Sequence, residues 1–546
     1  MKNLRSFQIK NSTLNARYWI TLTVSLTLCV FFIVNYWHYL KNLQYENKSE
    51  KSHYETISDK LIYLNNKNGF FSARFDACHK FKIRQICDVF YPQEKERKTQ
   101  PTLTELELKK AIKNKTIESL KKISQAKAIK LYPLLSNNLK DQIFKSLQTN
   151  TCYPPSLYAA AGLLSENNFP NKTAIQKSES YYKKSMQCEL KFGNQLTSEY
   201  GIYRLGLISF WQKKYTLSES AWEIILNQGS DSEFQSRASY WLIQVRNIQN
   251  KKVDLVEMVK YFTQFPIQFH TINSFVLTNE NKPFELVTDS IPTQYSPISQ
   301  NQIINNSIQI YRRLIEKNET SLAQRVLEFI STEELSLSEP EVQLYIAQQM
   351  NQYSRFNHQK FQILSKLFIQ YPRFKTIENL KVFYPLQYGS IIYKSSHHAD
   401  PYLIFGLIRQ ESSFNAFAES PVGARGLMQI MPQTAKELKP GIALESLKTP
   451  AINVQMGSRY IHALIREFKG DVHKALAAYN AGAGNVRRWS KRYPMADGLL
   501  FADLIPYEET REYVANILRN RYWYEKLYPV IQDEESIAQR NSEDSQ

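Results

Sequence analysis

Glycine is scarce in this chain, with 16 among 546 residues. Few positions can therefore take the left-handed backbone angles that tight hairpins demand, and frequent Leu, Ile, Gln, Lys and Glu favour helix instead. Cysteine is limited to five residues and no C-x₂-C pair occurs, which speaks against a zinc site. Acidic residues are also in deficit: 69 Lys and Arg outnumber 51 Asp and Glu, for a net charge of +18. An anionic partner fits that balance, whether nucleic acid, an anionic membrane surface or a carboxylate-bearing polymer, with a merely solvated basic surface as the plain alternative. Dense Lys/Arg blocks and base-stacking motifs are both missing, which argues against nucleic acid.

What is present begins at the N-terminus. Residues 18–37 carry no charge, and aromatics flank the apolar core on both sides: Tyr18 and Trp19 before it, Tyr36, Trp37 and Tyr39 after it. The run is close to the roughly 20 residues that span a bilayer. Lys2, Arg5, Lys10 and Arg17 precede it without an acid, so the N-terminus should stay in the cytoplasm and the rest be exported. No A-x-A-like site follows, so an uncleaved anchor over 18–40 is expected, with a cleaved signal peptide and release to the periplasm as the alternative. Cys29 lies inside the run. Cys78, Cys87, Cys152 and Cys188 lie beyond it, consistent with two disulfides in an exported domain. Three pairings are open; proximity favours Cys78–Cys87 and Cys152–Cys188, with free buried thiols as the alternative.

The length, 546 residues, exceeds what one compact core serves. After a cytoplasmic stretch 1–17 and the anchor 18–40, residues 41–100 read as a stalk and the start of a helical region. Residues 101–380 show apolar positions three and four apart, the mark of helices without a strict repeat period, hence an irregular α-superhelix. The stretch 199–206, followed by Phe210, Trp211 and Tyr215, reads as one helix–turn–helix unit, its aromatics serving as packing. Four prolines (Pro266, Pro283, Pro292 and Pro297) predict an irregular segment over 265–300. A final domain over 381–530 holds predicted helices near 401–411, 432–438, 451–468, 471–479 and 508–526, before a polar, disordered tail, 531–546.

The chemistry concentrates in that last domain. Glu411 closes an apolar helix, and a carboxyl held against apolar side chains favours its neutral form, as a general acid near neutral pH requires. Taken alone, a glutamate at a helix end is more often a solvated charge. Its context changes that: a loop with Gly423, Gly426 and Pro432, the amide of Gln429, the adaptable Met428 and Met431, then Tyr479 and Asn480 at a helix end, and Glu509 in the first turn of another helix.

The ordered motifs ESSFN from Glu411, SPVGARGLMQIMP from Ser420, AAYNAG from Ala477 and IPYEETREYV from Ile505 resemble soluble lytic murein transglycosylases, whose SLT catalytic domain is like goose-type lysozyme. The resemblance covers roughly 400–525. It implies a mainly α architecture, a superhelix followed by a lysozyme-like α-rich domain, and the peptidoglycan glycan strand as substrate. It implies Glu411 as the catalytic acid and then base, with Ser420, Gln429, Met431, Tyr479, Asn480 and Glu509 as substrate-binding residues. Neither a cofactor nor a metal is implied. Arg425 departs from the family pattern, which has a small residue there, and Glu419 is an extra loop carboxylate. Most glycosidases use two carboxylates. Here the resemblance implies that the substrate supplies its own nucleophile, giving 1,6-anhydro-N-acetylmuramic acid. The alternatives are a hydrolytic lysozyme-type muramidase on the same scaffold and a non-catalytic glycan-binding scaffold of the envelope. The expected setting is the inner membrane, with the catalytic part in the periplasm; other cell-wall enzymes are open as partners.

Overall fold

Helix starts are written into the chain as short polar residues and prolines. Asp231, Asn301, Thr376, Asp400 and Asp471 each accept a backbone N–H from the first turn of the helix they precede. Pro155, Pro340, Pro401, Pro432 and Pro450 occupy first helical positions, where a missing N–H costs nothing. The computed structural model describes residues 125–529 except 193–195, 197, 252, 254–267, 279–298, 331–334, 336–337, 396–398 and 497. The expected anchor 18–40, Cys78 and Cys87, and the tail 531–546 lie outside the described residues.

The helices are α1 (Gln125–Leu131), α2 (Asn137–Lys145), α3 (Pro155–Ser165), α4 (Lys172–Phe192), α5 (Tyr200–Trp211), α6 (Tyr215–Gln228), α7 (Ser232–Ile248), α8 (Phe269–Thr278), α9 (Gln302–Glu316), α10 (Thr320–Ile330), α11 (Pro340–Met350), α12 (Asn357–Gln370), α13 (Ile377–Phe383), α14 (Gly389–Ser395), α15 (Pro401–Ser412), α16 (Pro432–Leu438), α17 (Pro450–Glu467), α18 (Val472–Ala481), α19 (Ala483–Arg492), α20 (Gly498–Leu504) and α21 (Glu508–Leu527). Among the described residues the only β pairing is two isolated bridges, Glu419 with Arg425 and Arg425 with Ile430. The mainly α expectation holds. One local expectation fails: within 265–300, helix α8 forms in the proline-free interval between Pro266 and Pro283.

Two compact units emerge. The smaller contains the described parts of 290–352 and 359–372. Its α9 buries Ile304, Ile308, Tyr311 and Leu314, one stripe at helical spacing. The larger contains the described parts of 101–289, 353–358 and 373–546, so α1–α8 and α13–α21 share one unit. In it α5 is buried from Tyr200 to Ser209, as an interior helix must be. The predicted helix–turn–helix unit is α5 and α6, joined at Lys213 with φ 61°. Its aromatics do pack, Phe210 against Trp222 at 5.9 Å and against Trp241 at 5.1 Å between ring centroids.

Cys152 and Cys188 form a disulfide across 36 residues, as proximity suggested. Closing a loop of that length restricts the unfolded chain, so Cys152→Ser should lower unfolding free energy by about 3–4 kcal/mol. Equilibrium urea denaturation under non-reducing conditions measures it. A lower midpoint is expected, and an unchanged midpoint would remove the bond from the stability account.

Candidate active site

Helix α15 carries Glu411 on its last turn. Asp400 caps its start, accepting from the Tyr402 N–H at 2.9 Å, and every residue from Tyr402 to Arg409 is buried. Gly406 lets α15 meet α21 backbone to backbone: a Cβ there would lie 2.9 Å from the Ile517 carbonyl oxygen. About two turns beyond that contact, Ser413 (φ 51°) and Phe414 (φ 65°) turn the chain sharply, and Phe414 packs back on Phe405. Glu411 is thus held where two helices touch, at the end of α15 whose carbonyl dipoles disfavour a negative charge.

The hydroxyl of Tyr513, from α21, donates to Glu411 Oε1. Burial pushes the Glu411 carboxyl up to about 7 from an ordinary 4.5, against the opposing hydrogen bond from Tyr513. Desolvation and the nearby Glu411 charge push the Tyr513 and Tyr479 phenols well above their usual range, so both stay protonated donors. Tyr460 completes the group, its ring 5.2 Å from that of Tyr479. The arrangement is a carboxyl that keeps its proton on a substantial fraction of molecules near pH 7, set among phenols.

The loop after α15 is braced from within. Ser420 exchanges hydrogen bonds with Ala424, its N–H donating to the carbonyl and its Oγ accepting from the N–H, both at 2.9 Å. Gly426 (φ +77°) sits where any side chain would strike the Leu447 carbonyl, 2.2 Å from a Cβ. Asn453 of α17 is buried beneath the loop and holds two of its backbone groups together with the carbonyl of Leu447. Its Nδ2 donates to the carbonyls of Arg425 and Leu447 at 2.8 Å, and its Oδ1 accepts from the Met428 N–H at 2.7 Å. Tyr479 donates to the Met428 carbonyl at 2.8 Å.

These contacts sort the sequence-predicted residues. Tyr479 joins the Glu411 group directly. Ser420 and Gln429 shape the loop: the Gln429 amide nitrogen donates to the carbonyls of Ala418 at 3.1 Å and Gly426 at 2.9 Å. Asn480 accepts from the Thr510 hydroxyl at 2.7 Å, tying the end of α18 to the start of α21. Met431 is 39% exposed and Glu509 is exposed, so both present surface to solvent. Pro506 lies outside α21, which begins at Glu508, so the proline precedes the helix instead of opening it. Glu419, the extra carboxylate, is engaged elsewhere: Arg425 bridges it at 3.0 Å and Glu445 at 2.7 Å, with Lys448 beside both. Arg425 is thereby a loop staple, its guanidinium turned to carboxylates.

Tyr513 and Asn453 belong to the candidate site by their contacts, although no sequence motif singles them out. Tyr513 stands inside the IPYEETREYV motif, but its direction follows only from the crossing of α15 and α21. Asn453 stands on a helix far from any motif; a buried asparagine with three backbone partners has no sequence signal. Among the described residues no group of three His, Cys, Asp or Glu side chains is placed to hold a metal ion.

Residues 390–500 match the family described as Transglycosylase SLT domain. The chain is 35% identical over 159 residues to the soluble lytic murein transglycosylase of Escherichia coli K12, a match over 28% of this chain and 25% of that protein. It is 37% identical over 103 residues to the transglycosylase of Enterobacteria phage PRD1, over 18% of this chain and 37% of that one. The chain thus spans about a quarter of the length of the Escherichia coli relative. The X-ray structure of the lytic transglycosylase Slt from Pseudomonas aeruginosa aligns with a TM-score of 0.49 at 16% identity, covering 94% of this chain and 88% of that one.

Proposed function

We propose that this chain is a peptidoglycan lytic transglycosylase with Glu411 as its single acid and base. The observation that carries the reading is a half-buried carboxyl raised to about 7 by desolvation, with Tyr513 as its hydrogen-bond partner. Neutral Glu411 transfers its proton to the β-1,4 glycosidic oxygen between N-acetylmuramic acid and N-acetylglucosamine, and the C1–O bond breaks. The N-acetyl oxygen shares the positive charge at C1. Glu411, now a carboxylate, takes the proton from the muramoyl C6 hydroxyl, and O6 bonds to C1. Acid and base are regenerated in one residue, and no water is consumed. The nearby Glu419 is ion-paired with Arg425, which supports a route that does not call on a second carboxylate. A net charge of +18 suits an anionic, peptide-bearing wall polymer.

Digestion of purified sacculi in ¹⁸O-water tests this. Mass spectrometry should find 1,6-anhydro muropeptides without label. One ¹⁸O per cleavage would assign a hydrolytic muramidase instead, and sacculus binding with no soluble product would assign a scaffold.

The proposal extends to placement: residues 18–40 tether the enzyme in the inner membrane and the catalytic part faces the periplasm. The Cys152–Cys188 disulfide supports an oxidising compartment. The full chain should remain in the membrane pellet after an alkaline carbonate wash, and deletion of residues 1–40 should release it. Extraction of the full chain by carbonate would refute the anchor.

A further inference from the structure

Helices α5, α7 and α8 meet the segment 493–513 through buried charge. Arg237 of α7 is 2% exposed and donates to three carboxylates: Glu233 at 2.9 Å, Asp503 at 2.6 Å and Glu512 at 2.9 Å. Asp503, itself buried, also accepts from Trp241 Nε1 at 2.7 Å and lies 2.8 Å from His270 Nε2 of α8. Arg204 of α5 donates to the Asp503 carbonyl at 3.0 Å and the Leu504 carbonyl at 3.2 Å. Trp211 holds the Pro494 carbonyl at 3.0 Å. On α21 the neighbours are arranged in series. Arg511 lies over the Tyr200 ring at 5.3 Å, Glu512 takes Arg237, and Tyr513 reaches Glu411.

A buried guanidinium with a fixed fork gives directional hold on every carboxylate it meets. Two of those carboxylates lie on either side of the start of α21, Asp503 before it and Glu512 inside its second turn. With Arg237 fixed by Asp503, rotation or axial slip of that turn would break the bond to Glu512. Adjacent residues on one turn move as one body, so the constraint on Glu512 is a constraint on Tyr513.

We infer that Arg237, far outside the SLT-like segment, is a positioning residue for the reaction: through Glu512 and Asp503 it sets the register of α21 and so keeps Tyr513 on Glu411. The inference rests on the reading of Glu411 as acid and base. The helical region is thereby a working part of the catalytic machinery. The groups facing Glu411 are Tyr513 from α21 and Tyr479 from α18, with Tyr460 of α17 beyond them. The charged and titratable groups facing Glu512 and Asp503 are Arg237, Glu233, His270, Tyr203 and Tyr240.

Replacing Arg237 outright strands Asp503 and endangers folding, so the test uses Glu512→Gln, whose side chain is 40% exposed. That change should lower kcat on sacculi roughly threefold to tenfold with KM within about twofold, the scale expected of a small misplacement. It should also move the pH at which activity falls to higher values, because the Tyr513 hydrogen bond favours the ionised form of Glu411. Combined with Tyr513→Phe, it should add nothing further, since both act on one contact. Full activity with an unmoved pH profile, or losses that multiply in the double variant, would overturn the inference. Cleavage surviving in Glu411→Gln would instead sink the assignment of Glu411, and the two failures are separate results.

Discussion

Glu411→Gln should abolish glycan cleavage, by roughly 10³-fold or more, because in the proposed mechanism one side chain performs both proton transfers. The same change should make the protein more stable at neutral and alkaline pH. The sign follows from the carboxyl: its folded value, about 7, lies above the ordinary 4.5, so the folded state holds its proton more tightly than the unfolded chain. The wild type bears no penalty below pH 4.5, loses stability as pH rises from 4.5 towards 7, and carries the full cost above that. That cost is on the order of 3 kcal/mol. Glutamine stays neutral throughout, so the advantage of the variant should appear across the same window and vanish in acid. Activity should follow the opposite face of the same titration, falling as pH rises through about 7 when the acid is no longer protonated. Product release from sacculi and thermal unfolding, both measured from pH 4 to 9, check the pair. An inactive variant whose stability tracks the wild type at every pH would mean that Glu411 is not desolvated as described.

Arg204→Leu should cost about 3–5 kcal/mol of folding free energy, the largest single loss expected outside the catalytic group. Arg204 and Glu166 are paired with no side-chain exposure on either. Tyr182 and Tyr493 both donate to the Glu166 carboxylate, and Arg204 also holds the Asp503 and Leu504 carbonyls. Removing the guanidinium leaves a buried carboxylate without its cation and two carbonyls without donors. A second change, Glu166→Gln, should recover part of the loss, because the uncompensated charge goes with it. Urea unfolding of the wild type, both single variants and the double variant measures the coupling. A single Arg204→Leu variant within about 1 kcal/mol of the wild type would show that water reaches the pair or that the region relaxes around it.

Local signals carried much of the fold. Proline at first helical positions and Asp, Asn and Thr caps mark helix starts before any packing is known, which is why the predicted helices at 401–411 and 432–438 agree closely with α15 and α16. The same locality explains the miss at α8, where prolines on both sides hid a short helix between them. It also explains the site. Glu411, Tyr479 and the Gly423 and Gly426 turns are legible because their chemistry depends on residue type and nearby sequence.

What the sequence by itself determined, then, is a mainly helical chain with one candidate carboxyl on an apolar helix, a glycine-turned loop after it and an expected Cys152–Cys188 bond. Only the tertiary structure decided that Tyr513 is the partner of Glu411, that Ser420 and Gln429 brace the loop, that Asn453 anchors it, and that Arg204 and Arg237 bind the helical region to the segment beside α21. The physical reason is range. Caps, turns and apolar stripes act over a few residues, whereas the contacts that tune a proton or bury a charge join residues 102 positions apart in the case of Tyr513 and Glu411, and 266 in that of Arg237 and Asp503. Which residues meet over such distances is set by how helices cross, and crossing depends on the whole packed interior.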